Sequence, residues 1–194
     1  MIQSTSKEDK HMNQNTRRIA EGGLMIAAAI VLSYFKIQFL QAGSINFCMV
    51  PLIVFSVRWG LGWGIATGAV FGALKYFLAG GFAINLASFF LDYFVAYAAV
   101  GLAGFMCGRT RKASLPIGAL IGCAGRFLIH FISGITIYKI IEPTELFGRT
   151  YANATLFSVV YNGSYMLPST IACFIVCLIL SRALPGFFAD QRKD

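Results

Sequence analysis

Charge is what this chain lacks most. Only 12% of its 194 residues are Asp, Glu, Lys or Arg, against roughly 25% in an average soluble domain, while 57% are hydrophobic. A domain of this size has too much surface to hide such a deficit in a core, so lipid must supply part of the solvent. No Cys-x-x-Cys pair and no Cys/His cluster at zinc spacing occurs among Cys48, Cys107, Cys123, Cys173 and Cys177, which argues against a zinc or thiol-redox site. These five read as small packing residues, with Cys173 and Cys177 on one helix face. The first eighteen residues lack a hydrophobic core and a small-residue cleavage site, so no cleavable signal peptide is expected. The net charge of +8 marks the ends of apolar runs and forms no basic stripe, so no nucleic-acid partner is expected.

What is present is a series of apolar runs, near 19–40, 46–58, 60–80, 83–108, 114–140 and 153–184. A membrane span needs about 20 residues, so the second run is short. It contains Pro51 and fits a broken or re-entrant segment packed against protein. The third run carries Gly60, Gly64, Gly68 and Gly72, a four-residue spacing that lets helices approach closely in lipid. The expected architecture is an all-α integral membrane protein of six transmembrane helices. It forms one domain over 19–184, between a polar, poorly ordered tail over 1–18 and a second tail over 185–194. With the N-terminus inside, the inner segments carry Lys7, Lys10, Arg17, Arg18, Arg58, Arg109, Arg111, Lys112, Arg182, Arg192 and Lys193. The outer loops carry Lys139 and Arg149, with Lys36 at a helix end. That bias predicts a multi-pass protein of the cell membrane with both termini cytoplasmic.

Polar residues inside apolar runs are functional candidates, because a bilayer tolerates them only where they face protein or water. Asp92 is the carboxylate of its run. A lone intramembrane carboxylate costs roughly 2.5–3.5 kcal/mol on insertion scales and needs a partner. That partner is either a cationic ligand or an internal cation, Lys75 or Arg126. Tyr93 beside it offers a hydroxyl and a ring face to a cation. Arg126 and His130 are four apart and share a helix face, with Ser133 and Gly134 one turn on. Asn162 carries an amide able to pair with both a donor and an acceptor of a heteroaromatic ring. Tyr138, Tyr151, Phe157, Tyr161 and Tyr165 fit either an interfacial aromatic belt or a stacking box around a flat ligand. Pro168 is expected to kink or restart the last helix. On the first helix, Gly23 and Ala27 make a small-xxx-small pair, suited to internal packing or to docking another membrane protein.

The segment Arg126–Gly134 (RFLIHFISG), together with Tyr161–Pro168 (YNGSYMLP), resembles the thiamine-specific substrate-binding membrane subunits (ThiT/YuaJ family) of energy-coupling factor transporters. Leu91–Tyr93 through Gly101–Gly104, and Met49–Pro51 with Arg58–Gly60, resemble that family too, so the likeness covers roughly residues 19 to 184. The resemblance implies a six-helix S-component that binds a vitamin in an outward-facing pocket and is not an enzyme. It implies no cofactor in this chain. The implied partners are thiamine or a related pyrimidine-containing compound or precursor, the lipid bilayer, an EcfT coupling subunit, and two EcfA-type ATPases that use the ATP. The family's acidic ligand residue, usually Glu, falls on Asp92, and its neighbouring tyrosine on Tyr93. The pocket histidine falls on His130 with Gly134 on the same wall, and the pyrimidine-contacting asparagine on Asn162. Tyr138 stands where the family has a tryptophan; Phe157 and Phe82 stand where it has tyrosines. The family's docking motif falls on Gly23 and Ala27. The fixed thiazolium cation of thiamine suits Asp92 and aromatic faces, and its aminopyrimidine suits Asn162 and His130. Two other classes remain open at this point. One is an intramembrane hydrolase using His130 and Ser133, although no oxyanion site is visible. The other is a structural scaffold with a sealed interior and an internal Asp92–Lys75 or Asp92–Arg126 pair.

Overall fold

The computed structural model describes residues 2–39, 43–109, 113–137 and 144–184. Tyr138, the tail 185–194, and the basic residues Arg111, Lys112, Lys139, Arg192 and Lys193 lie outside the described residues. Helix α1 (Ile2–Tyr34) begins well before the first apolar run. No Gly or Pro precedes Gly22, so nothing stops the polar segment from being helical, and it is continuous with the apolar half rather than a poorly ordered tail. A hairpin, β1 (Lys36–Phe39) and β2 (Gly43–Asn46), pairs antiparallel with Ile37 opposite Ile45.

Helix α2 (Met49–Trp59) is buried along its whole length, as expected of a helix that is apolar all round. Its 11 residues span about 16 Å, too short for a hydrocarbon layer of about 30 Å. Pro51 sits in the first turn, where its missing N–H costs nothing. The short second run is thus a plug surrounded by protein. The chain reverses at Gly60, whose φ of 92° favours glycine, into α3 (Leu61–Leu78).

Helix α4 (Leu86–Met106) is irregular. Asn85 caps it through the Ser88 N–H in a reciprocal capping box, a π-helical segment runs from Phe90 to Val95, and a 3-10 segment from Gly101 to Met106 ends it. The glycine spacing of α3 is explained by this neighbour. A Cβ on Gly68 would meet the Tyr97 main chain, and one on Gly72 the Tyr93 main chain. Backbone meets backbone there, which only glycine allows.

Helix α5 (Ser114–Thr136) and helix α6 (Ala154–Ala183) pack against each other along their lengths. Between them, β3 (Thr144–Leu146) and β4 (Arg149–Tyr151) form a second hairpin. It turns at Phe147 and Gly148, whose φ values of 53° and 70° match a two-residue turn of primed type. The two hairpins depart from an all-helical expectation, since each is too short to show as a period-two pattern. Helix α6 runs unbroken through Pro168 and does not restart there.

Among the described residues, α3, α4, α5 and α6 are each long and apolar enough to cross a membrane. Their outward residues, among them Val70, Phe77, Leu128, Leu167, Ile171, Ile175 and Ile179, are large, apolar and exposed, whereas Asp92, Arg126 and Asn162 are buried. Apolar outside with polar inside is the arrangement expected where lipid is the solvent. The core centres on α2, whose Met49, Leu52, Ile53 and Val57 pack with Phe71, Tyr97, Val100, Ala119, Cys123, Cys173 and Cys177.

Candidate functional site

The helices place their polar residues in layers. On α5, Gly134, His130 and Arg126 descend at four-residue intervals; on α6, Phe157 with Ser158, Tyr161 with Asn162, and Tyr165 do the same. All of these line one cavity of about 370 Å³, within the usual range of about 300–1,000 Å³ for a small-molecule site. α3 contributes Lys75, α4 contributes Asp92, Tyr93 and Tyr97, and Ser44 and Phe82 come from hairpin and loop. Gly134, Phe157 and Phe82 form the mouth, Asp92, His130 and Asn162 the middle, and Lys75, Tyr97, Arg126 and Tyr165 the floor. Cys48 and Met49, at the start of α2, lie directly under that floor: Arg126 Nη1 is 3.2 Å from Met49 Sδ and Lys75 Nζ is 3.8 Å from Cys48 Sγ.

The cavity therefore gathers Asp92, Tyr93, His130, Gly134, Phe157, Asn162 and Phe82. Tyr138 lies outside the described residues. Asp92 is 8% exposed, and its Oδ1 lies 3.2 Å from His130 Nδ1. Neither Lys75 nor Arg126 is its ion-pair partner among the described residues, so the internal pair expected of a scaffold is replaced by the carboxylate–imidazole contact. Lys75 instead donates to the Tyr97 hydroxyl. Arg126 lies over the Tyr97 ring, with its guanidinium carbon 4.4 Å from the ring centroid.

Asn162, 5% exposed, has both ends of its amide engaged. Its Nδ2 donates to the Ser158 carbonyl at 3.0 Å and to the Ser158 hydroxyl at 3.2 Å, and its Oδ1 accepts from the Tyr165 hydroxyl at 2.8 Å. A ligand acceptor must replace one of the Nδ2 bonds, whereas a ligand donor can use the second lone pair of Oδ1. Gly134 is there for proximity. A Cβ on it would lie 2.9 Å from Ser158 Cβ and 3.5 Å from Asn162 Nδ2, so the α5–α6 contact beside the pocket excludes a side chain. The Tyr93 hydroxyl accepts from the Phe82 N–H at 2.7 Å, which ties the loop at the mouth to α4.

Phe157 and Tyr161 stack at 5.7 Å with an interplanar angle of 15°, and Tyr161 meets Tyr165 edge-on at 5.9 Å. All three rings line the cavity, the arrangement of a stacking wall. Tyr151 contacts Phe157 but does not line the cavity. Ser133 is fully buried, its hydroxyl has no hydrogen-bond partner among the described residues, and it does not line the cavity. A nucleophile needs its base within hydrogen-bond reach, and His130 Nδ1 faces Asp92 instead. The hydrolase arrangement is absent from the described residues.

Residues 19–189 match the family described as Thiamine transporter protein (Thia_YuaJ). The chain belongs to this family. It is 32% identical to the thiamine transporter ThiT of Bacillus subtilis (strain 168) over 197 aligned positions, covering 93% of this chain and 100% of that protein. It is 27% identical to the thiamine transporter ThiT of Lacticaseibacillus paracasei, covering 89% and 90%. The solved structure of ThiT from Listeria monocytogenes shares the fold with a TM-score of 0.79, over 91% of this chain and 99% of that one, at 21% identity. The family is one of transporters rather than enzymes.

Sequence reasoning did not single out Tyr97, Ser158 or Ser44 as lining residues. Tyr97 follows Asp92 by five positions, a spacing that shares a face only where the helix is π-wound. Ser158 precedes Asn162 by four, a usable signal on α6. Ser44 reaches the cavity through a hairpin whose placement no local pattern shows.

The first helix carries a separate feature. Gly22 faces inward, where a Cβ would lie 3.3 Å from the Phe55 ring, but Gly23 has nothing within 4 Å of its Cβ position. Gly23, Ala27 and Ala28 are exposed, so the small-residue pair Gly23 and Ala27 lies on the outer face of α1.

Proposed function

We propose that this chain is the substrate-binding membrane subunit of an energy-coupling factor importer, which captures thiamine from outside the cell. The observation that carries the reading is the cavity, where a buried carboxylate and a wall of three aromatic rings converge in a member of the thiamine transporter family. Asp92 would face the thiazolium cation, with Tyr93 beside it. His130 and Asn162 would meet the aminopyrimidine, and Phe157, Tyr161 and Phe82 would cover the rings. Tyr138, read from sequence alone, completes this set.

The same reading has six membrane segments: the apolar half of α1, the enclosed α2, and α3 to α6. Both termini would lie in the cytoplasm of a cell-membrane protein. The mouth of the cavity then faces outward, away from the end where Arg58 and Trp59 pair with Glu21. The exposed Gly23–Ala27 face would dock on an EcfT subunit, with ATP hydrolysed by two EcfA-type partners and no cofactor in this chain. Isothermal titration of the purified chain with thiamine tests the binding reading. Trp59 and Trp63 do not line the cavity, so calorimetry is a better readout than tryptophan emission. Saturable binding below micromolar concentration is expected, and none at micromolar ligand overturns the assignment.

A further inference from the structure

The corner where α1, α2 and α3 meet carries more positive charge than its own carboxylate can answer. Arg17 and Arg18 of α1 and Arg58 of α2 gather there around Glu21, Trp59 and Trp63. Glu21 accepts from Arg17 Nε at 3.1 Å, from Arg58 Nε at 2.9 Å and Nη2 at 3.3 Å, and from Trp59 Nε1 at 2.7 Å. The two oxygens of a carboxylate have about four lone-pair sites, so Glu21 is saturated without Arg18. No ion pair reaches Arg18 among the described residues. Its Nη1 donates to the neutral amide of Asn15 at 3.1 Å, and its buried Nε has no partner among the described residues.

This cation is nevertheless held in place. The Arg18 guanidinium carbon lies 5.1 Å from the Trp59 ring centroid and 6.0 Å from that of Trp63, within the range of a cation–π contact. The Arg17 guanidinium carbon lies 5.9 Å from the Trp59 centroid, and its side chain is 53% exposed. Indole rings settle at the level of lipid headgroups. The polar half of α1 also gives way to its apolar half at this point. Ile19 and Leu24 on α1, and Ile65 and Val70 on α3, are exposed. A cationic, aromatic corner thus adjoins apolar surface on two helices, which is the profile of a site for an amphiphile with an anionic head.

We propose that this corner binds an anionic phospholipid, with Arg18 and Arg17 on the headgroup phosphate and the acyl chains along the outer surfaces of α1 and α3. A phosphodiester offers acceptor oxygens in a geometry that matches the guanidinium fork, and it supplies the negative charge that Glu21 has none left to give. A soluble phosphate would use the arginines alone, whereas a lipid uses the arginines and the apolar surface beside them. In the orientation proposed above, the corner lies at the cytoplasmic leaflet, whose surface potential is negative. A lipid held there fixes the depth of the inner end of α1 in the bilayer.

The chain's 2 tryptophans both sit in this corner, so their emission reports on it without any substitution. The full chain is placed in phosphatidylcholine nanodiscs doped with phosphatidylglycerol brominated in its acyl chains, or with equally brominated phosphatidylcholine. Brominated phosphatidylglycerol is expected to quench at about tenfold lower mole fraction. Both leaflets carry the probe, so the result does not depend on the orientation or on thiamine binding. Arg18→Gln is expected to bring the two lipids to within about twofold. Arg17→Gln, at a more exposed side chain, should lower the preference as well, and serves where circular dichroism shows that Arg18→Gln does not fold. Arg109→Gln removes a charge elsewhere and should keep the preference. Equal quenching of the unmodified chain by the two lipids overturns the site. A loss in Arg109→Gln as large as in Arg18→Gln shows diffuse surface charge and overturns it too, as does a preference that survives the Arg17→Gln, Arg18→Gln double variant. Millimolar inorganic phosphate at matched ionic strength should leave the quenching unchanged; its reversal would give the corner to a soluble anion and overturn the lipid as occupant.

Discussion

Replacing Asp92 with Asn tests whether this carboxylate faces a ligand cation. The substitution changes charge and almost nothing else, because an amide oxygen at the same place still accepts from His130 Nδ1 across the present 3.2 Å. A thiazolium about 4 Å from the carboxylate gains about 4 kcal/mol at an effective dielectric constant of about 20. Asp92 is already 8% exposed without a ligand, so most of its desolvation is charged to folding rather than binding. Rearrangement and residual water reduce the net effect to about 3 kcal/mol, or about a hundredfold in Kd. With Asn at 92, Lys75 and Arg126 also face the cation unopposed, which moves the loss in the same direction. The assay is calorimetric titration of both proteins with thiamine and with a neutral aminopyrimidine lacking the thiazolium. The neutral compound should weaken by less than about threefold, since no charge term is lost. Equal losses for the two ligands would show that Asp92 holds the fold rather than the ligand, and the reasoning from its burial would fail.

Other substitutions probe the frame around the site. Gly134→Ala places a methyl 2.9 Å from Ser158 Cβ, and should cost about 1–3 kcal/mol of stability by overpacking; Ser158→Gly should restore part of it, and an additive thermal-shift result would remove this contact as the cause. Gly68→Val should lower detergent thermal stability more than Gly23→Val, because the first meets the Tyr97 backbone and the second meets open space; similar melting temperatures would contradict the backbone contact. Glu21→Ala should cost about 2 kcal/mol, since Arg58 Nε and Trp59 Nε1, at 2.9 and 2.7 Å from its carboxylate, lose their acceptor; an unchanged melting temperature would refute this. Gly23→Trp and Ala27→Trp should abolish cellular thiamine uptake while purified variants still bind thiamine, and normal uptake would take this face out of the partner interface.

The sequence was most legible where lipid constrains it. Apolar runs located the long helices, the shortness of the run around Pro51 marked α2 as enclosed by protein, and the glycine ladder of α3 marked a close approach. Polar residues in those runs pointed to the cavity, because an apolar solvent leaves them nowhere else to go. Pairing within the cavity was not legible, and the reason lies in α4. Regular α-helical spacing does not put Asp92 and Tyr97 on one face, but both line the cavity across the π-wound Phe90–Val95 segment. Asp92 contacts His130 of α5, and Tyr97 takes Lys75 and Arg126 as its own neighbours. A π segment inserts one residue without changing composition or periodicity enough to announce itself. Its consequence is that two residues five apart both reach the cavity, a carboxylate in contact with His130 and a ring that neighbours Lys75 and Arg126.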